Sequence, residues 1–139
     1  MQATNLKTNH LSAPLGMDAG TLFLSWQCAE GVRQTAYEIE VTAGAETLWA
    51  SGKALGSVMH TETPAVPPKT QGRWCIRLWD ENDQPGAWST ASFETGLAQA
   101  DWQGVWVCPE TEEPDIDCAD AINAFAKPNW EQKQAALEA

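Results

Sequence analysis

The feature that most constrains this 139-residue chain is an alternation of apolar and polar side chains between residues 20 and 96. Successive side chains of a strand point to opposite faces of a sheet, so this period of two predicts strands with one buried face. Turn residues separate the runs at short intervals. Many short strands between regular turns are typical of a sandwich. We therefore predict an all-β antiparallel sandwich of seven strands.

Three runs, over residues 21–28, 35–41 and 73–79, show the alternation best. Shorter strands are predicted over 47–50, 57–62 and 87–93, and a first strand before residue 20 is interrupted at residues 13–16, around Pro14, as an edge strand permits. Pro64, Pro67 and Pro68 predict an extended crossing between the sheets. The predicted inward side chains are Leu22, Leu24, Trp26, Cys28, Tyr37, Ile39, Val41, Trp74, Ile76 and Leu78. The predicted outward side chains include Glu38, Glu40, Arg73, Cys75, Arg77 and Trp79.

The four cysteines, Cys28, Cys75, Cys108 and Cys118, lack the close spacing of a zinc or redox site. Cys28 is predicted to face the core, whereas Cys75 is predicted to face outward. A disulfide requires converging Cβ vectors, so we expect Cys28 and Cys75 to be free thiols, one buried and one on the outer face.

The net charge of −11 narrows the possible partners. Residues 1–97 carry −4 and residues 98–139 carry −7. Such acidity repels nucleic acids and anionic membranes, so neither is an expected partner. No apolar run reaches membrane-spanning length, and the N-terminus does not resemble a secretory signal. The expected compartment is therefore the cytoplasm, where thiols stay reduced.

The C-terminal region differs from the rest, and we predict a division into domain 1–97 and a linker or partial second domain over 98–139. Residues 101–107 could form one more strand. Residues 110–120 contain six acids and indicate a solvated connector. Short helices are predicted over 119–126 and from Asn129 to the end, because apolar spacing and a capping pattern favour them.

The sequence predicts no catalytic residue, no cofactor site and no metal site. Glu38 and Glu40 are predicted two residues apart on an open outer face, where we expect solvated carboxylates rather than an acid and base pair. His10 and His60 stand alone, without the spacing of metal ligands or of a nucleophile's base. The acidic cluster Asp115, Asp117 and Asp120 lacks the glycine and the closing glutamate of a calcium loop.

Two arrangements of aromatic residues could have a structural or a ligand-binding role. Arg73, Arg77 and Trp88 fit a ladder of stacked guanidinium and indole groups on one face, although Trp88 in the core and solvated arginines would also fit. Exposed indoles could also serve as sugar platforms, but no flanking polar cluster is evident in the sequence. The candidates for such platforms are Trp49, Trp79, Trp88, Trp102 and Trp106.

A series of short segments, in this order and spacing, resembles the start of bacterial α-L-rhamnosidases. The resemblance covers roughly residues 5–107. Its segments are Asn5–Asn9, Pro14–Asp18, Leu24–Gln27, Arg33–Val41, Leu48–Lys53, Arg77–Asn82, Ala87–Ser89, Phe93–Leu97 and Asp101–Gly104.

The resemblance implies an immunoglobulin-like, fibronectin type III-like sandwich that precedes other domains. The family's inverting glycosidase chemistry uses two carboxylic acids in a distant (α/α) barrel, so it implies no catalytic residue here. It also implies that residues 101–104 mark a junction, with Asp101, Trp102, Gln103 and Trp106 as contacts to neighbouring domains. One departure is Gly72, which stands where the family usually has a tyrosine, so the tyrosine-corner hydrogen bond is not expected.

The expected function is therefore a non-catalytic module that positions neighbouring domains of an α-L-rhamnosidase-like glycoside hydrolase. The full-length parent enzyme would cleave terminal rhamnose from glycosides. This chain would meet rhamnose-containing glycans only as part of that enzyme. Two alternatives stay open at this point: a carbohydrate-binding module, and a stand-alone protein-interaction module.

Overall fold

A computed structural model describes residues 1–105 and 107, and the regular secondary structure of these residues is almost entirely β-strand. Residues Met1–Gln103 form one compact unit. The predicted all-β class is confirmed, with a short 3₁₀ turn at Gln99–Asp101. The eight strands are β1 Gln2–Thr8, β2 Gly20–Ala29, β3 Ala36–Ala43, β4 Glu46–Ala50, β5 Ala54–Leu55, β6 His60–Val66, β7 Gln71–Trp79 and β8 Ser89–Glu94.

The strands form two antiparallel sheets. One sheet has the order β1-β2-β6, and the other has the order β4-β3-β7-β8, with the two-residue β5 pairing beside β3. The longest ladder joins β3 to β7 in unbroken register from the pair Ala36 and Trp79 to the pair Ala43 and Gly72. The eighth strand, absent from the sequence prediction, is β5, which is too short to show an alternation.

The start of the chain contacts both sheets. After β1, residues 14–17 run beside β8, and Met17 forms a parallel bridge with Thr95. The backbone N–H of Glu94 donates to the carbonyl of Pro14 at 2.9 Å, and that of Gly96 donates to the carbonyl of Met17 at 2.7 Å. The predicted interruption of the first strand near Pro14 therefore marks the change from one sheet to the other.

The core lies between the two sheets. Eight of the ten side chains predicted to face inward are buried there; Cys28 and Tyr37 are half-buried and pack against its margin. Burying large apolar side chains supplies the main free energy of folding for a domain of this size. The core members are Ala3, Leu22, Leu24, Trp26, Ile39, Val41, Val66, Trp74, Ile76, Leu78 and Phe93.

The two buried indole N–H groups of the core have hydrogen-bond partners. Trp74 donates to the hydroxyl of Thr8 at 3.0 Å, and Trp26 donates to Oε1 of Gln34 at 3.0 Å. The amide of Gln34 in turn donates to the carbonyls of Gly56 at 3.1 Å and Val58 at 2.9 Å. An unpaired buried donor would cost about 1–3 kcal/mol, so these contacts allow tryptophan to occupy the interior.

Packing against the Phe93 ring favours glycine at position 72. A Cβ atom at this position would collide with the ring of Phe93 on the neighbouring strand. With the Phe93 ring in this position, a larger side chain such as tyrosine has no room at residue 72. The aromatic ring of Phe93 instead fills the space beside the Gly72 backbone.

Three sequence predictions need correction. Pro64 lies within β6 rather than in a crossing; β6 is an edge strand, where a missing N–H is tolerated. Trp79 faces outward as predicted, but it is only 6% exposed and therefore is not the exposed indole that a sugar platform requires. Residues 102–105 form no strand, since they follow the 3₁₀ turn without a partner strand. The helices predicted over 119–126 and 129–139 lie outside the described residues.

Candidate functional site

The outer face of β3, β7 and β8 carries a stack of side chains centred on Arg77. Its guanidinium lies 4.8 Å from the ring centroid of Trp79 and 4.9 Å from that of Trp88. The same group donates to Oε2 of Glu38, from Nε at 2.7 Å and from Nη2 at 2.6 Å. Glu38 is the cross-strand partner of Arg77, so strand register places the pair. Two aromatic faces and one carboxylate therefore hold Arg77 in a single orientation.

The two tryptophans of this stack differ in accessibility. Trp79 is covered, because Lys53 Nζ lies 4.8 Å from its ring centroid in addition to Arg77. Lys53 is held there by an ion pair with Asp83 at 2.6 Å. Trp88, by contrast, is 43% exposed. Trp79 therefore cannot offer a free face to a ligand, whereas Trp88 can.

Arg73 shares the outer face of β7 but does not join the stack. Within residues 1–105 and 107, its guanidinium has neither an ion-pair partner nor an aromatic ring over which it lies. It instead borders a cleft of about 370 Å³ in front of the sheet. We name this space the β3–β8 cleft; its lining residues are Glu40, Thr42, Arg73, Cys75, Trp88 and Thr90.

Cys28 and Cys75 are both half-buried free thiols. Burial raises the pKa of Cys28, and burial followed by the charge of Glu40 raises the pKa of Cys75. The Cys28 thiol donates to Oε1 of Gln34 at 3.3 Å, and the Cys75 thiol donates to the carbonyl of Glu40 at 3.7 Å. Because the thiolate is the reactive form, a raised pKa makes either residue a poor nucleophile at neutral pH.

The carboxylates of the described residues mostly have structural partners. Glu38 binds Arg77, and Oε1 of Glu40 accepts a hydrogen bond from the Thr47 hydroxyl at 3.3 Å. The backbone N–H of Gln84, followed by that of Asn82, lowers the pKa of Asp80 and fixes the β7–β8 turn. Residues 1–105 and 107 contain no group of three or more His, Cys, Asp or Glu side chains suited to a metal ion.

The predicted junction is tied to the sandwich through Asp101. Its Oδ1 lies 2.7 Å from Nζ of Lys69, and its Oδ2 accepts a hydrogen bond from the backbone of Ala98 at 3.3 Å. The hydrogen bond from Lys69 is the main cause that lowers the pKa of Asp101. Trp102 follows and is 68% exposed, and Gln103 is also exposed. Trp106 lies outside the described residues.

The structure thus separates the residues singled out in the sequence into two surfaces. Arg73, Arg77 and Trp88 lie on the outer face of the sheet, and Asp101, Trp102 and Gln103 lie at the C-terminal end of the sandwich. Sequence patterns did not reveal Glu38 or Lys69 as partners of Arg77 and Asp101. Glu38 could have been found only from the β3–β7 register, and nothing in the sequence signals Lys69.

No helix among the described residues has the length and apolar character needed to cross a bilayer.

Comparison with protein families places this sandwich. Residues 3–99 match the family described as the Rha78A-like, N-terminal immunoglobulin domain. The chain belongs to this family. The matched range contains all eight strands apart from the first residue of β1, so the family domain and the observed sandwich are the same unit.

Individual relatives agree with this assignment. An α-L-rhamnosidase of Streptomyces avermitilis is 32% identical over an alignment of 133 positions, which covers 84% of this chain and 13% of the relative. The structure of α-L-rhamnosidase from Dictyoglumus thermophilum has 28% identity and a TM-score of 0.68, covering 73% of this chain and 13% of that one. The chain therefore spans about an eighth of the length of these relatives.

A third likeness bears on the fold alone. The fibronectin type III domain of human collagen α-1(XX) is 16% identical, with a TM-score of 0.53 over 73% of this chain and 90% of that domain. The expected immunoglobulin-like, fibronectin type III-like sandwich is confirmed.

Proposed function

We propose that this chain is a non-catalytic module that positions the neighbouring domains of an α-L-rhamnosidase. The observation that carries the proposal is its membership of a family of N-terminal immunoglobulin domains, together with the small share of each relative that it covers. The parent protein would be a glycoside hydrolase that removes terminal rhamnose from glycosides. Its two catalytic carboxylic acids would lie outside this sandwich.

The C-terminal end of the sandwich suits a docking role. Asp101 is held by Lys69 and by the backbone of Ala98, so the 3₁₀ turn at Gln99–Asp101 is tied to the loop between β6 and β7. Directly after it, Trp102 presents a large, mostly exposed indole. Large aromatic side chains exposed on one protein surface often anchor an interface by packing against the partner. The proposed partners are accordingly the neighbouring domains of the same chain, which Trp102 and Gln103 would contact.

The gene offers the first test of this proposal. We expect the reading frame to continue beyond Ala139 for several hundred residues and to encode the catalytic barrel. A stop codon directly after Ala139 would contradict domain positioning and would favour a stand-alone protein-interaction module.

The second test uses the full-length protein that this reading frame encodes. Trp102→Ala should expose the junction and speed its cleavage by a protease at least several-fold, because the anchor of the interface is lost. Val32→Ala is a matched control, since Val32 is 87% exposed in the loop between β2 and β3. Equal cleavage rates in the two variants would contradict the docking role of Trp102.

A further inference from the structure

The β3–β8 cleft arises from the order of side chains along the outer face of the sheet. Cys75 lies on β7 between the long side chains Arg73 and Arg77, and its small thiol leaves a depression there. On β3, Glu40 is the cross-strand partner of Cys75, and on β8 Thr90 is its partner. The cleft is thus built on three paired strands and not on loops, and its volume of about 370 Å³ is within the range of small-molecule sites.

The groups around this cleft are available for a ligand. Within the described part of the chain, the Arg73 guanidinium and the hydroxyls of Thr42 and Thr90 form no side-chain hydrogen bond. Oε2 of Glu40 is likewise available, because the contact with Thr47 uses Oε1. Together these groups offer a carboxylate acceptor, a guanidinium donor and two hydroxyls.

Trp88 adds an aromatic surface that is already oriented. Arg77, itself held by Glu38 and Trp79, lies over the Trp88 ring and restrains it, while 43% of the residue stays exposed. A restrained ring loses little conformational entropy when a ligand packs against it. The burial that raises the pKa of Cys75 keeps its thiol protonated, so the floor of the cleft is uncharged.

We propose that the β3–β8 cleft binds one pyranose residue of a neutral glycan. The apolar C–H face of the sugar would pack on Trp88, and adjacent sugar hydroxyls would donate to Glu40 and accept from Arg73. Hydroxyl groups can do both, which a purely anionic or purely cationic ligand cannot. A phosphate or carboxylate ligand would meet the charge of Glu40, and an apolar ligand would leave Arg73 and Glu40 without partners.

This site lies on different residues from the junction that the proposed function uses. The cleft is formed by β3, β7, β8 and Trp88, whereas the junction is formed by Asp101 and Trp102. Sugar binding would therefore add a second role to the module, and either role can fail in an experiment without the other.

The test is an NMR titration of the ¹⁵N-labelled 139-residue chain with three methyl glycosides. The probes are methyl α-L-rhamnopyranoside, methyl β-D-glucopyranoside and methyl β-D-galactopyranoside. We expect at least one to give saturable shifts at the amides of Cys75 and Thr90 and at the indole of Trp88, with a Kd on the order of 1 mM, as befits a single open subsite. Absence of saturable shifts from all three at about fifty times that concentration would overturn the proposal.

Matched variants assign the binding to the cleft. Trp88→Ala and Arg73→Gln should each weaken binding at least tenfold, Trp88→Phe should keep part of it, and Trp102→Ala should leave it unchanged. If Trp88→Ala proves unfolded by circular dichroism, Thr90→Gln serves instead, because its longer side chain would fill the cleft. Binding that persists in these cleft variants, or that is lost in Trp102→Ala alone, would contradict the assignment.

Discussion

The two faces of the β4-β3-β7-β8 sheet use tryptophan in different ways. On the inner face, Trp74 is fully buried and its N–H donates to Thr8 of the opposite sheet. On the outer face, Trp88 is restrained by Arg77 and stays 43% exposed. The difference shows that one sheet can hold the fold together with its inner side chains while the outer ones are fixed in place and accessible. Interaction surfaces of this domain should therefore be changeable without loss of the fold.

Trp74→Ala and Trp88→Ala provide the sharpest contrast between the two faces. Trp74→Ala should lower the free energy of unfolding by about 3–5 kcal/mol, because it leaves a large cavity and an unpaired Thr8 hydroxyl. Trp88→Ala should cost about 1 kcal/mol or less, since it removes mainly one stacking contact. Urea unfolding followed by circular dichroism measures both, and equal losses would contradict the distinction.

Gly72→Ala tests the tightness of the inner packing. The added methyl group would collide with the tip of the Phe93 ring on the neighbouring strand. Overpacking of this kind should lower the free energy of unfolding by about 1–3 kcal/mol. The double variant Gly72→Ala with Phe93→Leu should recover part of the loss if the collision is the cause. A single variant as stable as the wild type would show that the ring can move aside.

Substitution of Arg77 tests whether the stack on the outer face restrains Trp88. Arg77→Lys keeps the charge near Glu38 but loses the planar guanidinium that lies between Trp79 and Trp88. A double-mutant cycle of Arg77→Lys and Trp88→Ala, measured by urea unfolding, should give a coupling of about 0.5–1 kcal/mol. No measurable coupling would mean that the stack does not restrain Trp88.

The smallest effect is expected from substitution of Lys69, the ion-pair partner of Asp101. Lys69 lowers the pKa of Asp101, so this ion pair contributes stability at a pH above the pKa of an unfolded aspartate, near 3.9. That contribution is lost as the pH falls through the lower folded pKa. NMR titration of the Asp101 carboxyl should show a low pKa in the wild type that rises in Lys69→Gln. An unchanged pKa would show that Lys69 does not hold the junction.

The alternation of side chains was sufficient to predict the sandwich and most of its core, because period-two burial is a local property of each strand. It did not predict that residues 14–17 pair with β8, since a strand's own pattern does not name its partner. The alternation along β7 correctly predicted that Trp79 faces outward. Its ring is nevertheless covered, because Lys53, which is distant in sequence, lies over it. The β3–β8 cleft was not evident for the same reason: Glu40, Arg73 and Thr90 are distant in sequence and meet only through strand register.

Hydrolysis of 4-nitrophenyl α-L-rhamnopyranoside by the purified 139-residue chain tests the non-catalytic role most directly. The thiols have raised pKa values, and Glu38 and Asp80 are engaged by Arg77 and by backbone N–H groups. We predict nitrophenol release at the rate of buffer alone across pH 4 to 8, a range that spans the ordinary pKa values of carboxyl and imidazole groups. Release above that rate that co-purifies with the chain and disappears on substitution of one of its carboxylates would contradict the account.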